Sequence, residues 1–414
     1  MTRRRHFLLG AATLALGAGA AASALGATSR SRAIRRWIPR GRTVDSLEPL
    51  MRLAGVPGLS IAALDGGTLA WQRTFGVADV ESGTKAGEHT LFEAASTSKP
   101  VFAYAVLRLV ERGTLQLDRP LAGYLRPPYL PHDERLDRIT ARHVLTHSSG
   151  LPNWGEEGKP ETFLPAFDPG TRFRYSGEGF FWLQLVVETL TGRGLDALMR
   201  ELLFEPAGMA HSSFAIDQER VRNLAYGHAG GRRAPQQGMR DVVGLVAPFA
   251  KAWRKPVRDW SHEDWLRVAV ALEPARPTQR VRFQNAASSL FTTAADYARF
   301  LAVLVESTSP VPWRLSDALR REMLSPLLAV QAGMPLWRGL GWSIERSDDT
   351  MRFGHEGNND GRFTAYVGAE ASSGRGLIIF ANDGAGFGLY QHIVREVTGC
   401  DQLSFIANVD PALK

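Results

Sequence analysis

Apolar positions along this chain fall into runs of different period. From residue 59 the stretch LSIAALDGGTLAWQRTFGV holds two strand-like runs split by Asp65-Gly66-Gly67, whose glycines tolerate the positive φ of a tight hairpin turn. A helix is expected just before it. Residues Pro100 to Arg112 are apolar nearly all round, with Val101, Phe102, Tyr104, Val106, Leu107, Leu109 and Val110, the pattern of a helix buried in the middle of a domain. Pro100 is tolerated because first-turn amides have no intrahelical partner, and Gly113 supplies the stop. From about 115 to 285 the spacing reads as mainly helical. Within it, residues 228–282 mix apolar and basic groups, as either a lid over a cleft or an ordinary surface insertion.

Another helix is expected from Thr293, in SSLFTTAADYARFLAVLVE. RFTAYVGA and GLIIFAND then read as strands on either side of a turn at Ser372 to Gly376, and a last helix spans about Tyr390 to Val397. Strands at both ends with helices between predict an α/β (α+β) fold. One mixed, mainly antiparallel sheet is built from both termini and flanked by helices, with an inserted, mainly helical region.

Charge changes the picture less than the composition suggests. The pI near 9.7 invites a nucleic-acid or membrane partner. Nine of the 49 basic residues, however, lie within residues 1–42, which carry no acid, leaving 40 basic against 42 acidic residues in the body. A body so balanced is not expected to bind nucleic acid, which needs clustered Lys and Arg on the folded surface.

The basic leader reads as a targeting segment. Arg3 to Arg5 precede an uncharged run from Phe7 to Thr28 rich in Ala, Gly and Leu, Ala22-Ser23-Ala24 offers a small-residue cleavage site, and RRHFLL resembles a twin-arginine export signal. Residues 1–27 are therefore expected to be an export signal or, uncleaved, an anchor. A basic linker follows over 28–43, then a single large domain over 44–400 and a tail over 401–414. The body is expected outside the cytoplasm, periplasmic or secreted, touching a membrane only through an uncleaved leader. Cys400 is the only cysteine, so no intrachain disulfide is possible. His262-Glu263 and His355-Glu356 both miss the spacing that sets two imidazoles one helical turn apart, and neither a metal nor an organic cofactor is implied.

The candidate chemistry starts from a lysine. Only six of the basic residues are lysine, and one of them, Lys99, follows Ser96 by three positions at the head of the buried helix. Guanidinium stays protonated in proteins, whereas a buried ammonium can release its proton and act as a base. On a helix, residues i and i+3 share a face, so Lys99 can reach the Ser96 hydroxyl and make it nucleophilic.

The surrounding stretch, TLFEAASTSKP, resembles the nucleophile motif of the serine β-lactamase and penicillin-binding protein superfamily, in particular its class C β-lactamase-related hydrolases and esterases. Three more blocks follow in that family's order: ITARHVLTHSSGLP (139–152), PGTRFRYSGEGFFWLQLVVETLTG (169–192) and FGHEGNNDGRF (353–363). The likeness runs from about residue 50 to 395, leaving out 228–282. It implies a β-lactamase-like fold, Ser96 as acylated nucleophile, Lys99 as base or proton shuttle, and Tyr175 as the family tyrosine. It also implies His355 and Gly357 as the H-x-G form of the last active-site strand, and the amides of Ser96 and Asn358 as an oxyanion hole. His147 is expected to shape its loop, and Glu178 and Glu356 to be solvated charges.

Two departures from the family pattern bear on substrate. Tyr175-Ser176-Gly177 lacks the asparagine of Y-x-N, and His355 stands where a lysine would fix a substrate carboxylate. Both lean toward a neutral ester or a different amide. The expected activity is that of an exported serine hydrolase working through a Ser96 acyl-enzyme on a small acyl substrate. The alternatives are a true class C-type β-lactamase or D-alanyl-D-alanine carboxypeptidase acting on a peptidoglycan-type peptide, and a non-catalytic cell-envelope binding protein of the same fold. G-x-S-x-G, S-D-N and K-T-G are all absent from the sequence.

Overall fold

The computed structural model describes residues 37–275, 278–305, 313–347 and 350–407. The export leader expected over 1–27 lies outside the described residues, as do the first part of the linker and the end of the tail. No helix among the described residues is long and apolar enough to cross a membrane.

Eight strands form one sheet: β1 (Gly58–Asp65), β2 (Thr68–Gly76), β3 (Leu328–Ala329), β4 (Leu336–Arg338), β5 (Ser343–Ser347), β6 (Thr350–Asn359), β7 (Phe363–Glu370) and β8 (Arg375–Ala381). Their spatial order is β2-β1-β8-β7-β6-β5-β4-β3, with antiparallel neighbours throughout. The two halves of the chain join where β1 pairs with β8, Leu59 opposite Ala381 and Ile61 opposite Ile379. The sheet built from both termini is thus as the sequence predicts, and the turn at Gly66-Gly67 takes positive φ at both glycines.

Side chains alternate across a strand, so each central strand feeds two cores. Leu59, Ile61 and Ala63 of β1, with Leu377 and Ile379 of β8, pack against α1 (Arg42–Ala54) and α9 (Gly386–Thr398) together with Trp37, Met51, Tyr390 and Ile393. Ala62, Leu64, Ile378 and Phe380 face the opposite layer, around α2 (Ser98–Glu111) and α8 (Ala294–Ala302). Strands buried on both faces explain the near-continuous apolar runs at each end of the sequence. Packing starts upstream of α1, since Trp37 is fully buried beneath the guanidinium groups of Arg352 and Arg375.

Helix α2 begins and ends close to its sequence-predicted bounds, and α8 opens at Thr293, whose hydroxyl caps the Asp296 amide. The intervening chain is less helical than expected. Between Gly113 and Ser176 it holds only α3 (Ala141–Leu145) and short 3-10 turns before α4 (Gly177–Thr191) and α5 (Leu195–Met199). The described residues of 228–282 form a small hairpin, α6 (Met239–Trp253) and α7 (His262–Leu272), and pack round Val246, Trp260 and Trp265 in an apolar cluster that also takes in Leu91, Ile216 and Phe291. The His228 amide donates to the Asn382 carbonyl and fastens this layer to the end of β8.

Candidate active site

Ser96 sits in a 3-10 turn, Ala95–Thr97, that runs straight into α2. Ala95 has φ of 48°, which a non-glycine residue adopts only where its surroundings hold it. Here they do. Thr97 Oγ1 donates to the Ala94 carbonyl at 2.7 Å, Ser98 Oγ to Ala95 at 2.5 Å, and Tyr297 from α8 donates to the Thr97 carbonyl at 2.8 Å. Ser98 Oγ also accepts from the Leu290 amide at 3.0 Å. Every neighbour of Ser96 on the turn is tied down, and Ser96 itself is half-buried.

Lys99 lies one turn along, 1% exposed, with Nζ 3.3 Å from Ser96 Oγ. It donates to the Ala287 carbonyl at 2.9 Å and stands 4.6 Å from the centre of the Tyr175 ring and 5.6 Å from that of Phe180. The Ala287 carbonyl is itself held in place. Asn285 Oδ1 accepts from the Ala287 amide, and Gln184 of α4 binds both the Ala286 amide and the Gln284 carbonyl. Burial, reinforced by the charge of Arg338, holds the Lys99 ammonium well below its usual range, so the neutral amine is favoured.

Tyr175 reaches the same point from the loop before α4. His147, fully buried with φ of 55°, stacks on the Tyr175 ring at 4.3 Å. Its Nδ1 accepts from the Ser176 amide and its carbonyl from the Arg174 amide, so one histidine fixes the backbone on both sides of Tyr175. Accepting at Nδ1 requires the neutral ring with its proton on Nε2, which agrees with the downward push that burial exerts on His147. Burial also drives the Tyr175 phenol up to about 12, against the contact with Ser96 and the field of Arg338.

Strand parity supplies the third side. Phe353, His355 and Gly357 share the α2 face of β6, while Glu356 points to the other face and accepts from the Tyr390 hydroxyl at 3.0 Å. A β-carbon at 357 would stand 2.8 Å from the Ala94 carbonyl and 3.0 Å from the Ser96 amide nitrogen, so only glycine lets β6 lie against the nucleophile turn. Asn358 is next along, exposed, its Oδ1 accepting from the Gly361 amide at 2.8 Å. His355 is buried, 6.1 Å ring to ring from Tyr175, with Nδ1 bonded to the Glu356 carbonyl, and burial keeps it neutral.

Five of the six expected residues therefore converge, and Asn358 follows Gly357 along β6. A seventh was not foreseen. Arg338, at the end of β4, is 5% exposed, bonds Ser343 through Nη1 and lies 5.8 Å from the Phe173 ring centre. Among the described residues its Nε and Nη2 have no hydrogen-bond partner and no carboxylate pairs with it. Its charge acts on Lys99, Tyr175, His147 and His355 alike. In a sequence so rich in arginine nothing marked this one except its place before Gly339-Leu340-Gly341, a turn pressed against the first turn of α2.

The profile of the family described as Beta-lactamase matches residues 45–399. The chain belongs to the Beta-lactamase family. Among its relatives, Esterase EstB of Burkholderia gladioli is 30% identical over 307 residues, 67% of this chain and 71% of that one. Penicillin-binding protein 4 of Amycolatopsis lactamdurans is 26% identical over 364 residues, 83% and 85% of the two chains. The solved D-alanine carboxypeptidase AmpC of Burkholderia cenocepacia superposes with a TM-score of 0.62 at 19% identity, covering 85% of this chain and 97% of that one.

Membership makes the chain a serine hydrolase of the Beta-lactamase family, and the structure corrects one expectation about its charges. Glu178 is not solvated. It is fully buried on α4 and paired with the equally buried Arg280, and it also accepts from the Gly155 amide at 3.3 Å. Glu356 is half-buried and engaged with Tyr390 rather than free in solvent.

Proposed function

We propose that this chain is an exported hydrolase that cleaves a small ester through an acyl-enzyme on Ser96. The observation that carries the reading is the buried Lys99 nitrogen 3.3 Å from Ser96 Oγ, in surroundings that favour the free amine. With the proton absent from Lys99 and present on Tyr175, the two groups divide the work. The Ser96 proton passes to Lys99 Nζ as Oγ bonds to the substrate carbonyl carbon. The oxyanion falls to the Ser96 and Asn358 amides. Tyr175 gives its proton to the departing alkoxide and is reprotonated by the Lys99 ammonium. Water then repeats the sequence in place of Ser96, releasing the acid and restoring the hydroxyl.

Two features favour an ester over a β-lactam or D-alanyl peptide: His355 is neutral where a carboxylate-binding cation would stand, and position 177 offers no side-chain amide. The likeness to an esterase at 30% identity leans the same way. Intact-mass analysis after exposure to a fluorophosphonate, a panel of short esters and a penicillin tests the reading. A fluorophosphonate adduct on Ser96, with multiple turnover of esters that Ser96→Ala abolishes, is expected. Stable penicillin adducts without ester turnover would favour the penicillin-binding alternative, and the absence of any adduct would favour the non-catalytic one. Export is tested by the N-terminal sequence and compartment of the mature protein.

A further inference from the structure

Gly177 is matched by a tryptophan. Ser176 is extended, with φ −141° and ψ 116°, so side chains at 175 and 177 leave the backbone on the same side. The Tyr175 ring takes that side toward Lys99. A β-carbon at 177 would meet Trp154 Cζ2 at 2.6 Å, Cε2 at 2.8 Å and the Asn153 carbonyl at 2.9 Å. The indole thus occupies the space beside Tyr175 that any residue-177 side chain would claim.

The indole is held there from several directions. Asn153 accepts from the Gly177 amide through both its backbone and side-chain oxygens at 3.0 Å, and from the Glu178 amide at 2.9 Å. The Arg282 guanidinium stacks on the indole at 4.5 Å, and Arg280, locked to Glu178, lies 5.7 Å from it. An apolar or aromatic group of a substrate pressed against the indole would gain contact area with it.

Building on the ester reading above, we propose that Trp154 is a specificity-determining wall of the cleft, selecting substrates with an aromatic or branched apolar group next to the scissile carbonyl. Matched ester pairs test it, one pair differing in the acyl group (phenylacetyl against acetyl) and one in the alcohol (benzyl against ethyl). Each is measured as a ratio of kcat/KM, which does not depend on the active fraction of a preparation. The wild-type protein is expected to prefer the aromatic member of at least one pair. Trp154→Ala and Trp154→Gln should each lower that ratio about tenfold, and Trp154→Phe should keep it within about threefold, since an aromatic contact of this size discriminates by that order.

An equal ratio in all four proteins, or no aromatic preference in the wild type, overturns the proposal while leaving the hydrolase reading intact. If no ester is turned over in a Ser96-dependent way, the hydrolase reading itself fails and takes this inference with it. Which pair responds reports whether the wall faces the acyl or the alcohol group.

Discussion

Gly357 and Ser96 meet backbone to backbone, so closely that a β-carbon on the glycine would stand 3.0 Å from the serine amide nitrogen. On the proposed reading, this contact sets the Asn358 amide, one residue on, as the second oxyanion donor beside that of Ser96. It follows that Gly357→Ala must push β6 away from the turn. Loss of one oxyanion donor costs about 100-fold or more in kcat, and overpacking of this kind costs about 1–3 kcal/mol of stability. Steady-state kinetics with thermal unfolding of the same variant check both. Wild-type kcat in a stable Gly357→Ala protein would remove the close approach from the mechanism.

Arg338 sets a testable pH dependence. A neighbouring cation disfavours the Lys99 ammonium, and burial does so more strongly. Since Lys99 must be neutral to act as base, kcat/KM should rise with pH through its depressed pKa and decline only as Tyr175, pushed up to about 12, loses its proton. The other groups facing Lys99 add little charge, because burial keeps His147 and His355 neutral. Replacing Arg338 by methionine removes the cation, raises the Lys99 pKa and moves the acid limb to higher pH. Arg338→Lys keeps the charge and should hold the limb near its wild-type position. A pH profile that both variants leave unmoved, whatever the loss in rate, would reduce Arg338 to packing.

The sequence exposed what local spacing encodes. Ser96 and Lys99 were found because i and i+3 share a helical face, and the sheet because the first and last apolar runs alternate or fill completely. His355 and Gly357 could be placed on one face by parity alone. What stayed hidden is tertiary. The Ala287 carbonyl that receives Lys99 has no side-chain signature, Arg338 is one arginine among many, and Glu178 looks solvated until Arg280, 102 positions away, closes over it. The stretch from 113 to 176 misled for a different reason. Its apolar residues are spaced to pack against α2 and α4, but Pro127-Pro128, Pro131 and the glycines of its loops break any helix into single turns.

The Glu178 and Arg280 pair is both a brace and a liability. Breaking a buried pair by removing one partner strands the other charge, which costs about 3–5 kcal/mol, while replacing both by apolar groups is often near neutral. Arg280→Met is expected to destabilise by about that amount, and Glu178→Leu/Arg280→Met to recover most of it. The pair also links the start of α4, just after Tyr175, to the segment leading to Ala287. Arg280→Met should therefore lower kcat at temperatures where the protein is still folded. Additive denaturation free energies for the two single variants and the double would show that the charges do not depend on each other.

Glu188 gives a stability term with a definite sign. It is buried on α4, accepts from Gln184 Nε2 at 2.8 Å and from the His262 amide at 2.7 Å, and burial raises its carboxyl to about 7. A group whose folded pKa exceeds its unfolded value binds protons more tightly when folded. Its contribution is therefore fully present below about 4.5 and is lost as pH rises through about 7, a swing on the order of 3 kcal/mol. Glu188→Gln cannot ionise, so it should lack this slope whatever its absolute stability. The measurement is the free energy of chemical denaturation, wild type minus variant, at several pH values from 4 to 8 (roughly the span of this transition). That difference should fall steadily with pH. A difference that is flat across the range would mean that Glu188 stays ionised in the folded protein, its two donors outweighing burial.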